Sequence, residues 1–248
     1  MKMVTTGDMK KAPRVKNDGM KIAGVKICGL TTDDAVAAAL AGGAAFVGFV
    51  VYPASPRNIA PADAARLVEP ARGRAKIVAV TVDADDALID QIATDLAPDY
   101  FQLHGQESAE RVRQVKARTG AKVIRALRIS THEDIRAAQA FDGVADLIMY
   151  DARPPKDAIL PGGNGVSFDW SLTAAIPADQ PWLLAGGLTP DNVRSAMAQT
   201  EAPLLDVSSG VERSPGYKDP LLISAFLDAV RGAGQPINSG PEPLKANT

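Results

Sequence analysis

Two residues at the ends of apolar runs carry side chains that move protons. Cys28 ends the run GVKIC, and Asp151 follows the run ADLIMY. A thiol, with an ordinary pKa of about 8.5, serves as a general base once a neighbour or a helix dipole favours the thiolate. A carboxyl group serves as a general acid. Together, the two residues predict a site that relocates a proton.

Both residues also have a structural interpretation. A single cysteine in an apolar strand is more often an inert core residue, and a carboxylate at a strand end often caps the loop backbone. Cys28 is followed by Gly29 and by the helix start Thr31-Thr32-Asp33-Asp34, so we expect its thiol to lie where the strand opens. Asp151, on a distant strand, can face the other side of a substrate. We therefore expect Cys28 and Asp151 to be catalytic.

Three glycine-containing turns indicate an anion site. They are GGNG at 162 to 165, AGGL at 185 to 188 and SSG at 208 to 210. Glycine lets backbone amides approach an anion closely, although any one of these turns can also be a simple tight turn. Two such turns after the last two apolar runs favour a phosphate site. Its candidate residues are Gly186, Gly187, Ser208, Ser209 and Gly210.

Three further polar residues lie at the ends of apolar runs. Arg57, in YPASPRNI, has a planar fork that suits a carboxylate, whereas a solvated surface arginine is the default for a loop. His104, in FQLHGQE, lines the site or satisfies a structural hydrogen bond. Asp206 marks the end of the last run. We include all three among the candidate substrate-binding residues.

Eight apolar runs alternate with longer segments of helical spacing, the pattern of parallel βα units. Continuous apolar runs suit strands that are covered on both faces. The predicted strands are residues 24 to 28, 44 to 51, 75 to 82, 100 to 104, 121 to 127, 145 to 150, 181 to 185 and 203 to 207. They predict an α/β protein, a single (β/α)8 TIM barrel whose active site lies where the strands end.

Helix signals occupy the segments between these runs. Helix starts are predicted at Ser130 with Glu133, which have capping-box spacing, and at Thr189, which precedes Pro190. Two apolar stripes have helical period: Leu88, Ile89, Ile92 and Leu96, and Leu221, Leu222, Phe226 and Ala229.

Composition limits the classes of protein. The 248 residues include 27 basic and 29 acidic side chains, a net charge of −2 without a long basic stripe, so we expect no nucleic-acid partner. No run approaches the roughly 18 apolar residues of a membrane span, and the first residues lack the apolar core of a signal peptide. We expect a cytoplasmic protein without membrane contact. One cysteine and two separated histidines predict no disulfide and no metal site.

Both ends of the chain are expected to be flexible. Residues 1 to 20 are polar and basic, and residues 232 to 248 are rich in glycine, proline and polar side chains. We therefore assign the catalytic barrel to residues 21 to 231. These features are compatible with both a monomer and a homodimer.

Taken together, six motifs resemble one enzyme family. They are KICGL at 26 to 30, SPR at 55 to 57, QLHGQE at 102 to 107, PGGNGVSFDW at 161 to 170, LAGGLTPDNV at 184 to 193 and DVSSGVERSPGYKD at 206 to 219. In this order they closely resemble phosphoribosylanthranilate isomerase of tryptophan biosynthesis, over residues 21 to 231. The chain departs from many relatives at Asn164, where they have threonine, and in its proline-rich, charged loop 152 to 161.

The resemblance implies an Amadori rearrangement of a small-molecule substrate, N-(5′-phosphoribosyl)anthranilate, without a cofactor. It matches Asp151 to the acid that protonates the furanose oxygen and Cys28 to the base that removes the C2′ proton. It matches Arg57 to the residue that faces the anthranilate carboxylate and Asp206 to a polar contact near the sugar. The AGGL and SSG turns match the phosphate cradle.

Competing interpretations remain distinguishable by particular residues. Indole-glycerol-phosphate synthase is expected to use a lysine acid on its strands, and metal-dependent pentose-phosphate epimerases need paired histidines and carboxylates. A bifunctional histidine and tryptophan isomerase is expected to carry aspartate at the position of Cys28. A barrel that only binds sugar phosphates or a protein partner would lack turnover.

Overall fold

Eight parallel strands close into a barrel in this protein, for which a computed structural model describes residues 24–152 and 167–232. The strands are β1 (Gly24–Cys28), β2 (Phe46–Val50), β3 (Lys76–Thr81), β4 (Tyr100–Leu103), β5 (Lys122–Ile129), β6 (Leu147–Ala152), β7 (Trp182–Leu184) and β8 (Leu204–Val207). Each strand pairs with the next, and β8 pairs with β1. The predicted (β/α)8 TIM barrel is confirmed.

Helices cover the outside of the barrel. They are α1 (Asp33–Ala41), α2 (Pro61–Val68), α3 (Asp86–Asp95), α4 (Ala109–Thr119), α5 (His132–Ala137), α6 (Val193–Thr200) and α7 (Pro220–Gly232). Between β6 and β7 the described residues form a 3₁₀ segment, Trp170–Ala175, where the repeat pattern predicts an α-helix. After β8, a short hairpin of β9 (Glu212–Ser214) and β10 (Tyr217–Lys218) precedes α7.

Two predicted helix starts are displaced along the chain. The capping box before α5 is formed by Thr131 and Asp134 instead of Ser130 and Glu133, because the helix begins at His132 and the box needs its acid at the third helical position. Thr189 does not cap α6 either. The side chains of Thr189 and Asn192 each accept a backbone N–H of the other, which closes a turn before the helix begins at Val193.

The two predicted apolar stripes differ in outcome. In α3 the stripe is confirmed, since Ile89 and Ile92 are fully buried. In α7 the stripe is confirmed for the buried Phe226 and the partly buried Leu222 and Ala229, but it is wrong for Leu221, which is 80% exposed. The residues of α7 that face the core are Ile223, Phe226, Leu227 and Val230.

Alternation along each strand separates two cores. Val25 and Ile27 of β1 belong to the large core between strands and helices, whereas Cys28 belongs to the cluster inside the barrel. Lys26, two residues before Cys28, faces the same interior and is wholly buried. Polar residues therefore reach the interior of the barrel from β1.

Several predicted segments lie outside the described residues. These are the two terminal segments, 1 to 20 and 232 to 248 except Gly232, the GGNG turn at 162 to 165, and all but the first residue of the loop 152 to 161. No helix within the described ranges is long and apolar enough to cross a membrane.

Candidate active site

Cys28 is the last residue of β1 and lies inside the barrel at the end where the strands finish. Its residue is 6% exposed, and its backbone carbonyl accepts a hydrogen bond from the Ser208 hydroxyl at 3.2 Å. Burial raises the pKa of the Cys28 thiol, and the cations of Lys26 and Lys218 offset this only in part. The predicted neighbours that favour a thiolate are present, but burial outweighs them.

An ion pair occupies the barrel interior next to Cys28. The Nζ of Lys26 donates to Oδ1 of Asp206 on β8 at 2.7 Å. Burial disfavours the ammonium, but the Asp206 carboxylate outweighs it and raises the pKa of Lys26. The buried ammonium therefore has a compensating partner inside the barrel. Asp206, expected near the sugar, thus has Lys26 as a partner.

Asp151 is the penultimate residue of β6, not the first residue of the following loop. Its Oδ1 accepts from the backbone N–H of Ala152 at 2.8 Å, so one oxygen does fulfil the structural role of capping backbone. Its Oδ2 lies 3.3 Å from Nε2 of His104, an ion-pair distance without hydrogen-bond alignment. Nδ1 of His104 lies 3.0 Å from Nε2, the side-chain amide nitrogen, of Gln102. His104 therefore links the strand β4 to the candidate acid.

A buried ion pair fixes the loop that carries His104. Glu107 accepts the backbone N–H groups of Gly105 and Asp83 at 2.8 and 2.9 Å. Nη1 of Arg125 lies 3.2 Å from Glu107, and both side chains are buried. The position of His104 therefore depends on charged residues from β5 and from the loops after β3 and β4.

Arg57 is buried, so the interpretation as a solvated surface arginine is wrong. Its Nε and Nη2 both donate to the Glu212 carboxylate at 2.8 Å. Glu212 also accepts from Nζ of Lys218. Burial disfavours the carboxylate, but hydrogen bonds from Arg57 and the charge of Lys218 outweigh it and lower the pKa of Glu212. Glu212 of the hairpin after β8 thus holds Arg57, the candidate residue for binding the substrate carboxylate, in the loop after β2.

The two final glycine turns touch each other. Gly186 and Gly187 have φ angles of +88° and +64°, a region that favours glycine. A Cβ on Gly210 would lie 1.8 Å from the carbonyl oxygen of Leu188, so the turn that includes Ser209 approaches closer than a side chain permits. The adjacency expected for these two turns is therefore observed.

The site residues form two groups at one end of the barrel. Cys28, Arg57 and Asp206 lie around β1, β2 and β8, while His104 directly follows β4 and Asp151 lies on β6. Strands β7 and β8 separate β6 from β1 on the shorter way round the ring. An acid and a base placed in this way can transfer protons at different atoms of one substrate.

Three charged residues of this site, Lys26, Glu212 and Lys218, are not predicted from the sequence. The sequence did contain a signal for Lys26. It is a charged residue inside an apolar strand, and because it lies two residues before Cys28 it points to the same face of that strand. Glu212 had none. It meets Arg57 across 155 residues of chain, a contact that only the closed barrel creates.

Comparison with known proteins assigns the chain to one family. The family model described as N-(5′-phosphoribosyl)anthranilate (PRA) isomerase matches residues 25–229. The chain belongs to the phosphoribosylanthranilate isomerase family. This confirms the resemblance of its motifs, and the protein is an isomerase of tryptophan biosynthesis.

Two curated phosphoribosylanthranilate isomerases show how similar the relatives are. The one from Caulobacter vibrioides is 56% identical over 211 residues, which are 85% of this chain and 96% of the relative. The one from Mesorhizobium japonicum is 51% identical over 209 residues, 84% of this chain and 95% of the relative. The similarity therefore extends over the whole barrel.

Solved phosphoribosylanthranilate isomerase structures have the same fold. The Thermotoga maritima enzyme superposes with a TM-score of 0.74 at 34% identity, over 85% of this chain and 99% of that chain. A second structure was solved in complex with reduced 1-(o-carboxyphenylamino)-1-deoxyribulose 5-phosphate, with a TM-score of 0.71, 33% identity and the same coverage.

Proposed function

We propose that this isomerase converts N-(5′-phosphoribosyl)anthranilate to 1-(2-carboxyphenylamino)-1-deoxyribulose 5-phosphate with Asp151 as general acid and Cys28 as general base. The observation that carries the proposal is the placement of both side chains. Each is buried at the carboxyl end of a barrel strand, and the strands are three positions apart in the ring. This arrangement supports proton transfer at two atoms of one ribose.

Asp151 begins the reaction by protonating the furanose ring oxygen, which opens the ring to an iminium species. The backbone N–H of Ala152 holds Oδ1, so we assign the proton to Oδ2, the oxygen that faces His104. His104, fixed through Gln102, orients this carboxyl group. We therefore assign His104 to the acid side of the site.

Cys28 completes the reaction by removing the C2′ proton from the iminium species. The product of this step is an enolamine, which tautomerises to the ketone. The positive charge of the iminium makes the C2′ proton acidic. Lys218 places further positive charge near Cys28 and favours its thiolate form.

Two anchors hold the ribose between acid and base. We assign the anthranilate carboxylate to Arg57, whose guanidinium plane is fixed by Glu212. We assign the phosphate to the backbone around Gly186, Gly187 and Ser208–Gly210, because adjacent glycine turns after the last two strands are a frequent phosphate site of such barrels. A ligand held at both ends is oriented for proton transfer.

We also propose that the protein acts in the cytoplasm, as a monomer or a homodimer. Its single cysteine supports a reducing compartment, since the proposed chemistry needs a free thiol.

The test is turnover by the variants Cys28→Ser and Asp151→Asn. Each should reduce kcat by about 10² to 10⁴-fold, the usual contribution of a general acid or base. Loss of the fluorescence of the anthranilate adduct measures the rate. A matched control is Asp63→Asn, an exposed carboxylate of α2, which should keep the rate of the unchanged protein. Rates within a few-fold for either site variant contradict the assignment.

A further inference from the structure

Lys26 is a buried charge to which the acid and base steps assign no specific role. Its side chain is 0% exposed, and its ammonium lies inside the barrel in contact with Asp206. Burying an ammonium costs several kcal/mol unless a partner compensates it. An apolar residue would fill the same space without that cost, so the charge itself needs an explanation.

Gly48 of β2 makes room for this ammonium beside Cys28. A Cβ at position 48 would lie 3.1 Å from Nζ of Lys26 and 3.3 Å from Cα of Cys28. Residue 48 pairs directly with Cys28 across β1 and β2. The missing side chain therefore leaves room beside Cys28 that the end of the Lys26 side chain occupies.

Four charged groups face Cys28 or its flanking residue. Lys26 shares its strand, Asp206 faces it from β8, Lys218 faces it from β10, and the Arg57 side chain packs against Gly29. Lys218 and Arg57 are both bound to Glu212, and Lys218 also donates to Ser208. Among the cations, Lys26 is the one that shares both the strand and the strand face of Cys28.

We propose that Lys26 is a positioning residue that stabilises the thiolate of Cys28, and that Asp206, which pairs with the same ammonium, competes with the thiolate for it. The proposal deepens the assignment of Cys28 as the base and rests on it. The thiol proton leaves to water, and the thiolate then takes the C2′ proton, which regenerates the thiol. Lys26 thus acts through Cys28 and holds its ion pair with Asp206 through both states.

The single cysteine of the chain makes a direct test possible. The ultraviolet absorbance of the thiolate, corrected by the same titration of Cys28→Ser, reports Cys28 in the full chain without substrate. Lys26→Met removes the charge at similar length and should raise the titration midpoint by about 1 to 3 pH units. At neutral pH, kcat/KM should fall about tenfold per unit of this shift and recover as the pH rises.

Asp206→Asn should shift the midpoint in the opposite direction. Without the competing carboxylate, the ammonium of Lys26 interacts with the thiolate alone and lowers the midpoint. A matched control is Lys122→Met, an exposed lysine at the start of β5, which should leave the midpoint unchanged. Opposite shifts separate an electrostatic role from packing, since a packing defect would move both variants in the same direction.

An unchanged or lowered midpoint in Lys26→Met would overturn the proposal. If Lys26→Met does not fold, Asp206→Asn alone decides the question. A raised or unchanged Cys28 midpoint in Asp206→Asn would then overturn the proposal. The titration needs no substrate, so it is independent of the activity of Cys28→Ser. A failure of the Lys26 proposal is therefore distinguishable from a failure of Cys28 as the base.

Discussion

A buried thiol is a stronger base than an exposed one once it has lost its proton. Burial raises the pKa of Cys28, which increases the proton affinity of its thiolate and reduces the fraction of thiolate at neutral pH. The cations that face it restore part of this fraction. The balance between these two effects sets the rate at which the C2′ proton can be removed.

Arg57 offers a test of substrate anchoring at the scale of one residue. Arg57→Ala removes the charged partner that we assign to the anthranilate carboxylate, and hydrogen bonds to charged groups contribute about 1.5 to 3 kcal/mol. We therefore expect KM to rise about 10- to 100-fold, measured by steady-state kinetics.

The control for this substitution is another arginine. Arg66→Ala removes an exposed guanidinium of α2 that pairs with Asp33, and KM should not change. If Arg57→Ala also leaves KM unchanged, Arg57 does not bind the carboxylate.

At the scale of elements, the contact between the two glycine turns shapes the phosphate site. In Gly210→Ala the new Cβ meets the Leu188 carbonyl, so the turn after β8 must move away from the turn after β7. A displacement of about 1 Å in a binding element can cost 10²-fold in catalysis. We expect KM to rise about tenfold or more and the melting temperature to fall.

Gly73→Ala separates the loss of glycine from the contact itself. Gly73 also has a positive φ, +74°, but a Cβ there meets no atom within 4 Å. This variant should lower the melting temperature slightly and leave KM unchanged. Equal values of KM in the two variants would contradict the role of the turns.

Strands were more predictable than helix faces, for a physical reason. Buried parallel strands are apolar on both faces, so the run that contains Val47 and Phe49 stands out without knowledge of its neighbours. Helix α7 is apolar at both Leu221 and Ile223, and only its packing against α1 and α6 selects Ile223 as the buried face. The predicted capping box before α5 was displaced by one residue because Ser130 and Thr131 are both residue types that cap helices, and the local sequence does not choose between them.

The site was predictable where a residue follows a strand and unpredictable where two distant residues meet. Cys28, His104 and the glycine turns lie at strand ends, which parallel strands bring to one end of the barrel. The contacts of Glu212 with Arg57 and of Lys26 with Asp206 depend on the register of closure between β8, β1 and the hairpin. That register is not encoded in any local pattern.

For the whole molecule, buried ion pairs make stability depend on acid. The pKa of Glu212 is lowered from its ordinary 4.5, because hydrogen bonds from Arg57 and the charge of Lys218 outweigh burial. A lowered carboxylate pKa contributes stability that is complete above the ordinary value and is lost as the pH falls through the folded value. The melting temperature should therefore fall below about pH 5.

Glu212→Gln should flatten this dependence on acid and lower the melting temperature at pH 7, because two buried cations lose their partner. Thermal unfolding between pH 7 and pH 3 measures both effects. Glu110→Gln, which removes an exposed carboxylate of α4, should keep the slope of the unchanged protein. An unchanged slope in Glu212→Gln would mean that its ion pairs do not stabilise the fold.

The reaction of the unchanged protein tests the central claim most directly. Purified full-length chain, mixed with N-(5′-phosphoribosyl)anthranilate and no added metal or nucleotide, should consume the substrate with loss of the anthranilate-adduct fluorescence. The product should be 1-(2-carboxyphenylamino)-1-deoxyribulose 5-phosphate. Fluorescence that persists under these conditions would contradict the assigned acid–base isomerisation.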